Sequence, residues 1–149
     1  MRRQIVPEGF RTWWSTERQL RWRDIDTLGH LTAASYADLC QEACGDFVVE
    51  AWADADASYV VARLDISYLR EIRREESPVR LHARLSRIGR SGFGVTMVVC
   101  SAAGEVCSIA EGSYVAWDAV YRRSRAMTDA ERTGLMALGG QHLPGTTGT

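Results

Sequence analysis

Apolar residues recur at three- and four-residue spacing over one stretch only: Tyr36, Leu39, Cys40, Ala43, Cys44, Phe47, Val48 and Ala51. After it the pattern turns to a period of two. A helix shows the same face every 3.6 residues and a strand alternates faces, so this switch predicts one long helix followed by strands. Over 62–68, Ala62, Leu64, Ile66 and Tyr68 alternate with Arg63, Asp65 and Ser67; over 79–85, Val79, Leu81, Ala83 and Leu85 alternate with Arg80, His82 and Arg84. Both read as half-buried strands. Two turn signals, Gly89-Arg90-Ser91-Gly92 and Ala102-Ala103-Gly104-Glu105, introduce apolar runs over 93–101 and 106–117, giving a meander. Upstream, residues 12–22 are rich in β-formers and aromatics. The expectation is an α+β chain in which one antiparallel sheet of about five strands wraps a single central helix.

Length and charge narrow the class. A chain of 149 residues makes one domain with a real core, predicted over about 12–118, with a C-terminal extension over 119–149. In that extension Thr128-Asp129-Ala130-Glu131 has the form of a capping box, so a short helix through Leu135, Met136 and Leu138 is expected before Gly139-Gly140. The last six residues, from Pro144, read as a mobile tail. A formal net charge of -1 argues against a nucleic-acid partner. All 18 basic residues are Arg, which leaves guanidinium as the only fixed cation for a phosphate. No apolar run reaches the roughly 20 residues of a membrane span. The opening residues carry charge without an apolar signal-like core, which predicts a cytoplasmic protein. Cys40, Cys44, Cys100 and Cys107 form no Cys-x-x-Cys pair and read as buried free thiols, with no metal site.

Chemistry concentrates where the aromatic run meets the helix, in Arg23-Asp24-Ile25-Asp26-Thr27-Leu28-Gly29-His30-Leu31-Thr32-Ala33-Ala34-Ser35-Tyr36. The first amides of a helix lack intrahelical partners and the helix dipole favours negative charge there. A carboxylate in the loop feeding that helix can attack a carbonyl, or activate water toward it, while the amides hold the oxyanion.

These residues, with Ala62-Arg63-Leu64-Asp65-Ile66-Ser67-Tyr68, Arg87-Ile88-Gly89-Arg90-Ser91-Gly92-Phe93 and Tyr114-Val115-Ala116-Trp117-Asp118, resemble the 4-hydroxybenzoyl-CoA thioesterase branch of the hotdog-fold acyl-CoA thioesterases over about 14–118. The resemblance implies a homodimer whose sheets join edge to edge, or a tetramer built from it, with active sites at the subunit interface. It implies Asp26 as nucleophile or general base, amides near Thr32 and Ala33 as oxyanion hole, and Arg90 and Ser91 as CoA phosphate contacts, with Arg87 a third. The substrate would be a CoA thioester and no cofactor is expected. Many relatives carry Asn-Asn where this chain has Thr32-Ala33, so polar groups that brace the loop are partly replaced.

Each residue also has a structural reading. Asp24 and Asp26 suit loop capping, the commoner fate of acids before a helix. His30 can position substrate or pack at an interface; Tyr36 lies on the helical stripe and can be core or substrate contact. Glu42 reads as a solvated face, and Arg70-Glu71-Ile72-Arg73-Arg74-Glu75-Glu76 as an exposed loop. Two functions compete with acyl-CoA hydrolysis: release of an acyl group from a carrier-protein phosphopantetheine arm, and non-catalytic binding of acyl thioesters by a dimer. A hotdog dehydratase is disfavoured, since its His followed by Pro-Gly is absent.

Overall fold

The computed structural model describes residues 5–143, so the expected tail from Pro144 lies outside it. The expected order is found. Strand β1 (Trp14–Arg18) leads through a loop into helix α1 (Ala33–Trp52); β2 (Tyr59–Tyr68), β3 (Val79–Ile88), β4 (Gly92–Cys100) and β5 (Val106–Asp118) follow. A two-residue strand β6 (Arg123–Ser124) and helix α2 (Asp129–Gly139) are the last elements among the described residues. Every pairing is antiparallel, in the spatial order β1-β3-β4-β5-β2 with β6 beside β5.

Helix α1 starts where Thr32 caps it, its hydroxyl accepting the Ser35 amide at 3.1 Å. Its predicted stripe faces the sheet: Tyr36, Leu39, Cys40, Ala43, Cys44, Phe47 and Val48 are all buried. Against them sit Val79, Leu81, Ala83 and Leu85 of β3 and Val95, Met97 and Val99 of β4, the inward set that the alternation marks. At about 25 cal/mol per Å² this one apolar seam is the main driving force for wrapping the sheet around the helix. Helix α2 forms with the predicted capping box and packs on α1 at Gly134, where an added Cβ would collide with the Ala51 carbonyl.

Four expectations are revised. Strand β1 is only Trp14–Arg18, because residues 22–24 turn into a single 3-10 helical turn. Strand β2 is an edge strand with a register shift between Val61 and Arg63, so Ala62 and Tyr68 are exposed while Leu64 and Ile66 are half-buried. His82 points away from the helix yet is 5% exposed, since Phe10 from the N-terminal segment covers it with ring centroids 5.2 Å apart. The charged run 70–76 is tethered: Ile72 is fully buried, and Arg70 pairs with Glu76 at 2.9 Å and Glu105 at 2.8 Å.

Candidate active site

The loop between β1 and α1 is built around Asp26. Its amide donates to the His30 carbonyl at 3.0 Å and its carbonyl accepts from Gly29 at 3.1 Å, a tight reversal that Gly29 permits with φ of 86°. The Asp26 side chain divides its two oxygens. Oδ1 accepts the amides of Leu28 at 2.9 Å and His30 at 3.4 Å, while Oδ2 stands 3.7 Å from His30 Nδ1. The carboxylate thus anchors the loop with one oxygen, while the other makes no hydrogen bond to a described residue. The loop is itself stitched to the 70s segment, since the Leu31 amide donates to the Ile72 carbonyl at 2.7 Å and both side chains are buried below.

Asp26, His30, Leu31, Thr32, Ala33 and Tyr36 form one wall of an open cleft of about 440 Å³, and Tyr68, Leu69, Arg70 and Glu71 the other. That is an ordinary size for a small-ligand site. At its floor Tyr36 meets Tyr68 edge to face at 5.0 Å and donates to the Arg70 carbonyl at 3.3 Å. Burial, foremost, pushes the Tyr36 hydroxyl above its ordinary pKa, so it enters the site as a neutral donor rather than a phenolate.

The helix start supplies the complementary charge. Thr32 N–H is spent on the Asp24 carbonyl at 2.9 Å, Ser35 N–H on the Thr32 cap, and Tyr36 N–H begins the helical series. The exposed amides of Ala33 and Ala34 remain without partners among the described residues. They are the first two orphan donors of a 20-residue helix whose dipole ends there. Thr32 closes the helix start with its hydroxyl, which accepts the Ser35 amide.

Asp24 belongs to a different network from Asp26. It is fully buried, accepting Arg21 Nε at 3.1 Å and the Ser35 hydroxyl at 3.0 Å. Glu42, expected as a solvated acid, is instead bound by Arg21 at 2.9 Å, with Arg18 at 3.7 Å. All four cysteines are free and buried. Burial pushes the Cys40 and Cys44 thiols up to about 12, so neither is a ready nucleophile.

Arg87, Arg90 and Ser91 lie elsewhere. Tyr68 pairs with Ser108 on β5, whereas Gly92, after the arginine turn, pairs with Val115. Seven residues of β5 separate these rungs, roughly 23 Å at about 3.3 Å per residue. Within one chain the turn does not reach the cleft. It is held firmly where it is: the Met127 amide donates to the Arg90 carbonyl at 2.9 Å, Ala116 to the Ser91 carbonyl at 2.8 Å, and Arg132 binds the Gly89 carbonyl. Tyr68 ends a segment that carries the family likeness, whereas Leu69, Arg70 and Glu71 enter the site without a sequence motif. The one available signal was Ile72, a single apolar residue inside a charged run.

Among the described residues no group of three or more His, Cys, Asp or Glu converges to hold a metal ion, and no helix is long and apolar enough to cross a membrane.

The antiparallel sheet curled around one long helix is a hotdog fold, and the family it falls in makes the protein a thioester hydrolase. The chain belongs to the thioesterase-like superfamily, whose family model matches residues 20–132. Among solved structures it is similar to a thioesterase from Thermus thermophilus complexed with coenzyme A and Zn, at 26% identity and a TM-score of 0.75, covering 85% of this chain and 93% of that one. A hypothetical protein from Staphylococcus aureus in complex with CoA shares 14% identity with a TM-score of 0.77, over 91% of this chain and 88% of that one. A 1,4-dihydroxy-2-naphthoyl-CoA thioesterase from Synechocystis shares 14% identity with a TM-score of 0.72, over 83% and 96%. These last two likenesses concern the fold alone. No curated protein sequence matches the chain.

Proposed function

We propose that the protein hydrolyses acyl-CoA thioesters, releasing a carboxylic acid and CoA, with Asp26 as the attacking or water-activating carboxylate. The observation that carries this reading is the cleft that Asp26 and Ala33 both line, with the unpaired Ala33 amide at the helix start and that of Ala34 next to it in the first turn. A thioester carbonyl seated there meets an acceptor for a water proton on one side and two donors for its developing oxyanion on the other. The thiolate leaves readily, so no strong general acid is needed. His30 steadies Asp26 Oδ2, and the Tyr36–Tyr68 pair bounds the acyl end. Similarity to a thioesterase solved with coenzyme A supports CoA as the carrier.

The distant arginine turn fits this function in a dimer. Strand β2 pairs with β5 on one side and is the outermost strand of the sheet among the described residues, with Val61 and Tyr68 exposed. Antiparallel pairing of β2 with a second copy would set opposite ends of the two sheets side by side. The Asp26 cleft of one subunit would then lie near the partner's Arg90, whose guanidinium suits the CoA phosphates.

The direct test is thiol release from a panel of short, long and aryl acyl-CoA thioesters, alongside the same acyl group on a carrier-protein phosphopantetheine arm. Faster turnover on CoA is expected. Faster turnover on the carrier protein would move the assignment to that class, and calorimetric binding without thiol release would leave a non-catalytic thioester-binding dimer.

A further inference from the structure

Asp24 lines no part of the cleft, yet it is the most heavily engaged carboxylate in the loop. Its Oδ2 accepts the Arg21 amide at 2.8 Å and Arg21 Nε at 3.1 Å; its Oδ1 accepts the Ser35 hydroxyl at 3.0 Å; its carbonyl accepts the Thr32 amide at 2.9 Å. Arg21 continues through Nη1 to Glu42 at 2.9 Å. Ser35 and Glu42 are seven residues apart, two turns along one face of α1, so the segment before Asp26 is fastened to the helix at two heights. Burial alone would raise the Asp24 pKa, but the hydrogen bonds from Arg21 and Ser35 outweigh it and hold the carboxyl below its ordinary value.

We propose that Asp24 is a positioning residue: through Thr32 and Ser35 it fixes the first turn of α1, and with it the Ala33 and Ala34 amides, relative to the Asp26 carboxylate two residues away. The geometry explains why such a fastening matters. Oxyanion stabilisation depends on donors held within a few tenths of an ångström, and a misplacement of about 1 Å can cost on the order of 100-fold in rate. The loop and the helix are separate elements joined by the short span 25–32, and the Asp24 bonds to Thr32 and Ser35 tie them together at the helix start. The inference rests on the proposed role of Asp26 and adds a residue that never touches substrate.

The test compares Asp24→Asn, Ser35→Ala, the double variant and Asp26→Asn with the wild type in thiol release from one acyl-CoA, with the thermal midpoint measured for each. Asp24→Asn is expected to lower kcat by about 10- to 100-fold with KM within about twofold, as expected for a loss of alignment rather than of binding. Ser35→Ala, which removes a single hydroxyl, is expected to lower kcat in the same sense. The double variant is expected to lose less than the product of the two single losses, because the two side chains belong to one hydrogen-bonded network. Amide hydrogen exchange over residues 32–36 is expected to quicken in both single variants. A folded Asp24→Asn protein with wild-type kcat overturns the inference. So does a Ser35→Ala protein with wild-type kcat and exchange, which also decides the matter if Asp24→Asn does not fold. Full turnover by Asp26→Asn would instead remove the underlying reading of the site. An inactive Asp26→Asn beside fully active Asp24 and Ser35 variants removes the positioning role alone.

Discussion

His30 Nδ1 stands 3.7 Å from Asp26 Oδ2, while the other Asp26 oxygen is spent on the amides of Leu28 and His30. The separation exceeds a hydrogen bond. His30 therefore stands beside the second oxygen without consuming it. His30→Ala is expected to lower kcat by roughly tenfold, the effect of removing one neighbour that positions the carboxylate. The loss should be well below that of Asp26→Asn, and steady-state kinetics of the two variants checks the ranking.

Ala33 is the first residue of α1, and Thr32 before it is extended with ψ of 153°. Proline is accepted at such a position, since its φ suits the first turn and the preceding residue is already β-like. Ala33→Pro thus deletes one candidate oxyanion donor with little cost to the helix. A fall in kcat of about 100- to 1,000-fold with an unchanged circular dichroism spectrum is expected. Wild-type kcat in a folded Ala33→Pro protein would show that this amide holds no oxyanion.

The roughly 23 Å between the cleft and the arginine turn in one chain makes a prediction about assembly. Arg87→Ala combined with Arg90→Ala should raise KM for acyl-CoA while sparing turnover of a truncated acyl-pantetheine thioester. Mixing that protein with Asp26→Asn under subunit exchange should restore about a quarter of wild-type activity at low substrate, if each site takes Asp26 from one chain and the arginines from the other. A mixture no more active than its components would place both sets in one chain or remove the arginines from the site.

Acid stability has a local source in α2. Arg125 donates to both Glu131 oxygens, at 2.7 and 2.8 Å, and this pairing holds the Glu131 carboxyl below its ordinary value. A pKa depressed in the folded state stabilises the fold above the unfolded value of about 4.3, and that contribution is lost as the pH falls through the lower folded value. Glu131→Gln should therefore be less stable than the wild type at pH 7, with the gap narrowing toward about pH 3. Urea midpoints at the two pH values measure it.

The central helix and the meander were legible because burial on one face leaves a period in the chain: the stripe from Tyr36 to Val48 is buried as its spacing requires, and so are Val79, Leu81, Ala83 and Leu85. Period fails where a residue is covered from the second face. His82 sits on the polar phase of β3 and is buried only because Phe10 folds over it, a contact 72 residues distant in the chain. Strand β2 misled for the opposite reason, since an edge strand with a register shift exposes residues that alternation assigns inward. The Asp-x-Asp pair lies in the loop beside the cleft, and the family likeness separates Asp26 from Asp24, but no one-dimensional pattern reveals that Asp24 turns to Arg21 and Ser35. Nor does a motif carry distance. The family likeness implies Arg87, Arg90 and Ser91 as CoA phosphate contacts, and only the strand register places their turn at the far end of the sheet from Asp26 in one chain.

The central claim is that the Asp26 carboxylate acts on a thioester carbonyl. Steady-state thiol release by Asp26→Asn, on the acyl-CoA that the wild type turns over fastest, tests it most directly, because the substitution keeps the shape and an oxygen to accept the Leu28 and His30 amides. The account predicts a fall in kcat of about 100- to 10,000-fold with the thermal midpoint nearly unchanged. Turnover at the wild-type rate by a folded Asp26→Asn protein would contradict it.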